Sequence, residues 1–265
     1  MKNRYWMVML LSIGFLSLQF SANAQTKKKK EKKGEFYFSW GYNAEWYTHS
    51  SIRVMQSSMS NDYKLKNVSA RDHLGWDMGI FKIPLSIPQY NYRIGWSINK
   101  KKNLFFEINF DHTKYILRDQ DAHIVGKLNN RQVDTTVAFN EANGFFYYLN
   151  NGANFLLFNL VKRYPIYQSP NKNFKLDGFG KAGIGPLIPH VENMLFGVKN
   201  DPHFQVGGWN VGTEAALRAT FYKTVYLEYS NKLDFASYSG LGINNGTMRQ
   251  MFGTYEMILN LGFTF

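Results

Sequence analysis

From Glu35 onward the chain alternates, and that alternation is the strongest constraint on its fold. Phe36, Phe38, Trp40, Tyr42, Ala44 and Trp46 are interleaved with Tyr37, Ser39, Gly41, Asn43 and Glu45. In a strand these two sets face opposite sides. The same rhythm returns in Tyr90–Ile98, Phe106–Asp111, Trp209–Phe221, Val225–Asp234 and Thr254–Phe265. Residues 146–161 and 174–188 carry it less cleanly; the second is loosened by Gly178, Gly180, Gly183 and Gly185. The pattern predicts eight strands, at 36–47, 86–98, 104–117, 146–161, 174–188, 206–221, 225–235 and 249–265.

Alternation alone also fits a soluble sandwich with one wet face. Two features decide against that. Most of these strands reach or exceed the about 9–11 residues that a tilted membrane strand needs, whereas soluble strands average about five or six. The intervals between them alternate long and short: 48–85, 99–103, 118–145, 162–173, 189–205, 222–224 and 236–248. Long external loops and short turns at the opposite rim are a property of transmembrane barrels. Open sheet edges are excluded from hydrocarbon, so the strands must close into a ring. The fold class expected is all-β, an eight-stranded antiparallel up-and-down transmembrane barrel. Trp40, Trp46, Tyr90, Tyr92, Tyr229 and Tyr255 are candidates for its interfacial girdles. Its long loops carry structure of their own. Ser51–Ser57 and Tyr63–Val68 alternate briefly, and His123–Leu128 and Arg131–Phe139 flank Asn129-Asn130 as a hairpin would.

The first residues read as an export leader. Lys2 and Arg4 precede the apolar run Tyr5–Phe20, and Ala22-Asn23-Ala24 supplies a small-residue cleavage site. The expected organisation is a signal peptide at 1–24, a basic periplasmic tail at 25–34 and the barrel at 35–265. The formal net charge of +12 is concentrated near the start, where six lysines outweigh Glu31 between Lys27 and Lys33. A charge block in that position is a solvated tail, and nucleic-acid binding is not expected. There is no cysteine, so disulfides and thiolate metal sites are excluded.

An eight-stranded barrel has an interior just wide enough for side chains. The inward set is Glu45, Arg93, Glu107, Asp111, Glu214, Arg218, Glu228, Lys232, Asp234 and Glu256. Charges in so narrow a space must pair, because an isolated buried ion is costly. A salt-bridged plug is the expected outcome, with a proton or ion path as the alternative. The acids outnumber the bases, and Lys181 joins the set if its strand turns it inward.

No catalytic signature of the hydrolase, zinc-protease or nucleotide-binding type is present. The six histidines, at 49, 73, 112, 123, 190 and 203, fall in or beside loops without metal-ligand spacing. Asp111–Tyr115 reads as a polar loop anchor. No cofactor and no metal are expected.

The last strand places Leu259, Leu261, Phe263 and Phe265 on one face. This ending resembles the signal that bacterial outer-membrane barrels present to their assembly machinery. The whole chain is similar to small outer-membrane β-barrels, of Bacteroidetes style in its aromatic and Asn/Lys-rich composition. The resemblance implies outer-membrane location after export and a monomer. It implies contact with outer-membrane lipid and lipopolysaccharide, with the barrel-assembly machinery as partner during biogenesis. The expected role is structural, or one of surface interaction through the external loops. One alternative is a lipid A-modifying barrel, a deacylase or acyltransferase. Such deacylases carry His-x-Ser-Asn on a late strand, where this chain has Glu228-Tyr229-Ser230-Asn231. Ser230 and Glu228 are therefore weak catalytic candidates, since a serine needs a base beside it. A soluble periplasmic barrel that binds a ligand is the second alternative.

Overall fold

The computed structural model describes residues 34–73, 89–149 and 151–265. The expected leader at 1–24, the basic tail apart from Gly34, and residues 86–88 of the second expected strand lie outside these residues. Eight long strands form the frame: β1 (Phe36–Tyr47), β2 (Tyr90–Asn99), β3 (Leu104–His112), β4 (Phe155–Gln168), β5 (Phe174–Pro186), β6 (Gly208–Phe221), β7 (Val225–Ile243) and β8 (Gly246–Thr264). Each pairs antiparallel with the next. β8 then pairs with β1 from Tyr37↔Thr264 to Tyr47↔Thr254, so the ring is closed and has no edge. Residues 100–103, 169–173 and 222–224 make the turns at one rim, and the long connections leave from the other.

The wall is built the opposite way to a soluble protein. Leu217, Leu227, Tyr229, Leu259, Leu261 and Phe263 face outward and are exposed, while Arg93, Glu107, Asp111, Glu228 and Glu256 are fully buried inside. Trp46 lies 5.6 Å from Tyr255 near the loop rim, and Trp96 lies 4.9 Å from Phe106 nearer the turns.

Higher on β7 and β8 this polarity reverses. Along β7 the inward residues run from Lys232 and Asp234 to Ala236 and Tyr238, and the outward ones from Leu233 and Phe235 to Ser237 and Ser239. Along β8, toward its start, the inward side passes from Glu256 and Thr254 to Phe252 and Met248, and the outward side from Tyr255 to Arg249. The same two strands therefore pass from an apolar surrounding to an aqueous one. That change marks the rim of the membrane-spanning zone.

Beyond this rim stands a second body, a head built from the loops. Four strands extend the sheet from β8: Ser50–Gln56, Asn61–Val68, Gln120–Leu128 and Arg131–Phe139. A second sheet, ordered Val198–Lys199, His190–Leu195, Phe146–Leu149, Tyr115–Leu117, Ala70–Arg71, supplies the other layer. Both sheets contribute to a cluster of 24 buried apolar residues, including Ile52, Leu65, Ile124, Tyr147, Leu149, Val191 and Phe252. The apolar cluster inside the barrel has six. The conventional hydrophobic core thus lies in the head. The Asn129-Asn130 turn takes φ values of 47° and 65°, as a two-residue hairpin loop with both residues left-handed requires.

Four boundaries differ from the sequence expectation. Residues 146–149 leave the barrel for the second sheet, because Gly152 and Asn154 take positive φ and break the run; β4 starts at Phe155. β4 then continues to Gln168, its Pro165 being accommodated at a shift in register. β3 ends at His112, and Tyr115–Leu117 also joins the second sheet. The expected loop 236–248 is a hairpin arm: β7 and β8 run on to Ile243 and Gly246, leaving two residues at its tip.

Candidate functional site: the charged lumen and its cover

All ten residues expected to face inward do so and are buried, and Lys181 joins them. Register arranges them. Across β5, β6, β7, β8 and β1, Lys181 stands opposite Glu214, Glu214 opposite Lys232, Lys232 opposite Glu256, and Glu256 opposite Glu45. A row nearer the turns pairs Asp177 with Arg218 and Arg218 with Glu228. Opposite charges facing across strands stabilise a sheet, and like charges do the reverse. The rows alternate in sign except at Glu45↔Glu256.

At the turn rim, Arg163 donates to both carboxylate oxygens of Glu35, at 2.6 and 2.8 Å. Lys175 Nζ lies 2.7 Å from Asp177 Oδ2. A cavity of about 310 Å³, lined partly by Arg163, Lys172, Lys175 and Lys223, opens here and also touches Arg218. Arg218 sits among three rings, 4.3 Å from Tyr37, 4.3 Å from Phe179 and 4.0 Å from Tyr226. Its Nε donates to Glu228 Oε2 at 2.6 Å. The Tyr37 and Tyr226 rings fit because their neighbours are glycines: a Cβ on Gly95 or Gly262 would lie 2.1 or 2.2 Å from them.

In the middle of the lumen, Lys181 Nζ reaches Glu228 at 2.8 Å, Glu214 at 3.1 Å and Glu107 at 3.2 Å. Tyr37 donates its hydroxyl to Glu107 at 2.7 Å. Arg93 lies 3.1 Å from Glu214 and 3.8 Å from Asp111. Above them, Lys232 holds Asp111 at 2.6 Å and Asp234 and Glu256 at 3.2 Å. Each ion here loses several kcal/mol of hydration, about what the surrounding opposite charges must return.

At the loop rim, Glu45 accepts from Asn43 Nδ2 at 2.7 Å, and the Tyr47 hydroxyl contacts both the Glu45 carboxylate and the Lys114 carbonyl. The Glu45 backbone N–H donates to Asp72 Oδ2 at 2.8 Å, which ties the chain leaving the head to the barrel wall. Burial pushes the Asp72 carboxyl up to about 6, against backbone N–H groups of Glu45 and His73 that favour its ionised form. Above lies an aromatic cover: Tyr115 stacks on Phe252 at 4.6 Å, and Tyr47 meets both. Tyr238 donates to the Ala153 carbonyl at 2.8 Å.

Ser230 is buried in the lumen, between Ala216 and Ile258 on the neighbouring strands. Glu228 is engaged by Lys181 and Arg218. Asn231 faces outward, where it accepts from Tyr229 and Tyr255. Ser230 and Asn231 thus face opposite sides of the wall, and the carboxylate beside them is occupied. His112 stacks on Tyr90 at 4.5 Å and shares a 2.8 Å hydrogen bond with Asn154 Oδ1, the geometry of a loop anchor. Among the described residues no group of three or more side chains is placed to hold a metal ion. Leu259, Leu261, Phe263 and Phe265 are exposed on the outer wall. Sequence reasoning left Lys181 undecided because its strand is rich in glycine, and it missed Asp72 and the three-ring cage around Arg218.

No protein-family model and no curated protein matches the chain. Solved structures similar to it include the attachment invasion locus protein Ail of Yersinia pestis, at 15% identity and a TM-score of 0.33, covering 88% of this chain and 100% of that one. OprG of Pseudomonas aeruginosa matches at 11% and 0.37, over 88% and 97%. The Escherichia coli outer membrane protease OmpT matches at 12% and 0.36, over 91% and 99%. At such values the likeness adds no weight to the geometry. The closed ring, the apolar outer wall and the charged interior themselves define a small transmembrane β-barrel, carrying a two-sheet head with an apolar core.

Proposed function

We propose that the protein is a closed outer-membrane barrel whose work is done by its head, as a structural or surface-interaction element rather than as a channel. The observation that carries this reading is the double closure of the lumen. Arg218, Lys181, Arg93 and Lys232 are locked with carboxylates along its length, and the head's aromatic cover lies over its loop rim. Side chains, charged and aromatic, fill the cross-section of so narrow a barrel and oppose a continuous aqueous path, even though the acids outnumber the cations and the Arg93 guanidinium meets Glu214 and Asp111 by charge without a hydrogen bond. Export by the leader, insertion through the assembly machinery by way of Leu259, Leu261, Phe263 and Phe265, a monomeric state, and contact with outer-membrane lipid all belong to this reading.

Planar-bilayer recording tests it. Purified full-length protein in a lipid bilayer is expected to give no unit conductance steps at any holding potential. Regular open steps from folded protein would replace the plugged-lumen reading with a channel. Fractionation of cells expressing the full chain should recover it with the outer membrane in detergent-extractable form.

A further inference from the structure

The outer face of the head's larger sheet carries an arrangement that folding alone does not favour. Arg249 on β8 stands directly opposite Arg53, and Arg53 directly opposite Lys64. Three cations therefore lie side by side on three neighbouring strands, spanning about 10 Å at about 4.8 Å per strand. Like charges directly opposite destabilise a sheet. Asp62, on the same face, binds Arg53 through two hydrogen bonds of 2.8 and 2.7 Å and lies within electrostatic reach of Lys64, and Lys66, the next outward residue of that strand, stands opposite His123. Among the described residues Arg249, Lys64 and Lys66 form no ion pair. Ser51, Ser237 and Ser239 border the same open depression, of about 480 Å³, adding neutral hydroxyls beside the charges.

The position of the patch indicates what it meets. It continues the lipid-facing wall upward: below Arg249 on the same face of β8 come Met251, which is 53% exposed, and then Tyr255 against Trp46. Two positions separate Arg249 from Met251, the last outward apolar side chain on this face, about 7 Å along the strand or about 5 Å of height at the usual barrel tilt, which places the patch in the polar layer that flanks a hydrocarbon core. We infer that Arg249, Arg53, Lys64 and Lys66 form a docking site for the phosphorylated saccharide of a glycolipid in the surrounding outer leaflet. The inference rests on the membrane location proposed above. Cations with hydroxyl donors at their side suit phosphate on a sugar, and a surface already seated in the bilayer meets such lipids without a search.

The test uses full-length protein in detergent, titrated with rough lipopolysaccharide and with the same material stripped of phosphate by hydrofluoric acid. The wild type is expected to bind the phosphorylated form at least about tenfold more tightly. In the triple variant K64Q/K66Q/R249Q that ratio should fall to about one, whereas the charge-retaining K64R/K66R/R249K should keep it. Unheated electrophoretic mobility reports an intact barrel in every sample and separates failure of this site from failure of the barrel reading. Equal affinity of the wild type for both lipids, or an unchanged ratio in the triple variant, would overturn the site. Dextran sulfate provides the third arm. If it binds through these residues while lipid phosphate makes no difference, the partner is a soluble polyanion and the lipid assignment is wrong.

Discussion

Single residues decide whether this lumen can be filled at all. Lys181 contacts three buried carboxylates, so replacing it leaves their charge short of a partner. Lys181→Met is expected to lower stability by about 3–5 kcal/mol, and adding Glu214→Gln should recover part of it. Urea midpoints of the protein folded into phospholipid vesicles give both numbers. Gly95 answers to a steric demand: its missing Cβ leaves room for the Tyr37 ring. Gly95→Ala should cost about 1–3 kcal/mol by overpacking, and Tyr37→Leu in the same chain should relieve it. The inward charges were legible from alternation alone, because period two assigns a face to each residue. Lys181 was not, because glycines on both sides of it leave no apolar row to define the outer face.

At the scale of elements, the head shows how strands drawn from separate loops form one body. Ser50–Gln56 and Asn61–Val68 come from the first long loop and Gln120–Leu128 and Arg131–Phe139 from the second, yet they add to β8 in sequence. Their inward residues meet the second sheet in a common core, so the head should fail locally and not with the barrel. Ile124→Ala removes a fully buried side chain from that core at a cost of about 2–4 kcal/mol. Trypsin should then cut faster near Arg118, Lys127 and Arg131 while unheated mobility shows the barrel intact. The local hairpins were readable, since Asn-Asn between two alternating runs prescribes a left-handed turn. Their joining to β8, and the loss of 146–149 and 115–117 to a second sheet, were not. Strand patterns specify which faces are apolar but not which distant strand completes the sheet.

At the scale of the molecule, the barrel and head meet at Asp72, Glu45 and Tyr47. Asp72 titrates near 6 when folded, above the about 3.9 of an unfolded aspartate. The folded state then binds more protons than the unfolded one between these values, so this group's contribution to stability falls as pH rises from about 4 to about 6 and levels off above. Asp72→Asn should flatten that part of the profile. Subtracting the variant's urea midpoints from those of the wild type at pH 4, 5, 6 and 7 removes the lumen acids common to both and leaves Asp72 together with its charge coupling to Glu45. A difference with no slope across this window would show that Asp72 is not held protonated at the junction. By itself the sequence determined the strands, their facing and the inside-out wall, because a two-residue period and a spanning length are properties of a chain segment in its solvent. It also held, unread, the exchange of polarity at Phe235–Ala236 and again between Tyr255 and Phe252, where the apolar parity moves from one set of residues to the other. Only the tertiary structure decided the register, and with it which charges face each other: Lys181 with Glu214, Lys232 with Glu256, Arg249 with Arg53. Sliding a strand by two residues keeps every side chain on its face but changes every partner, and ring closure together with the packed head selects one alignment.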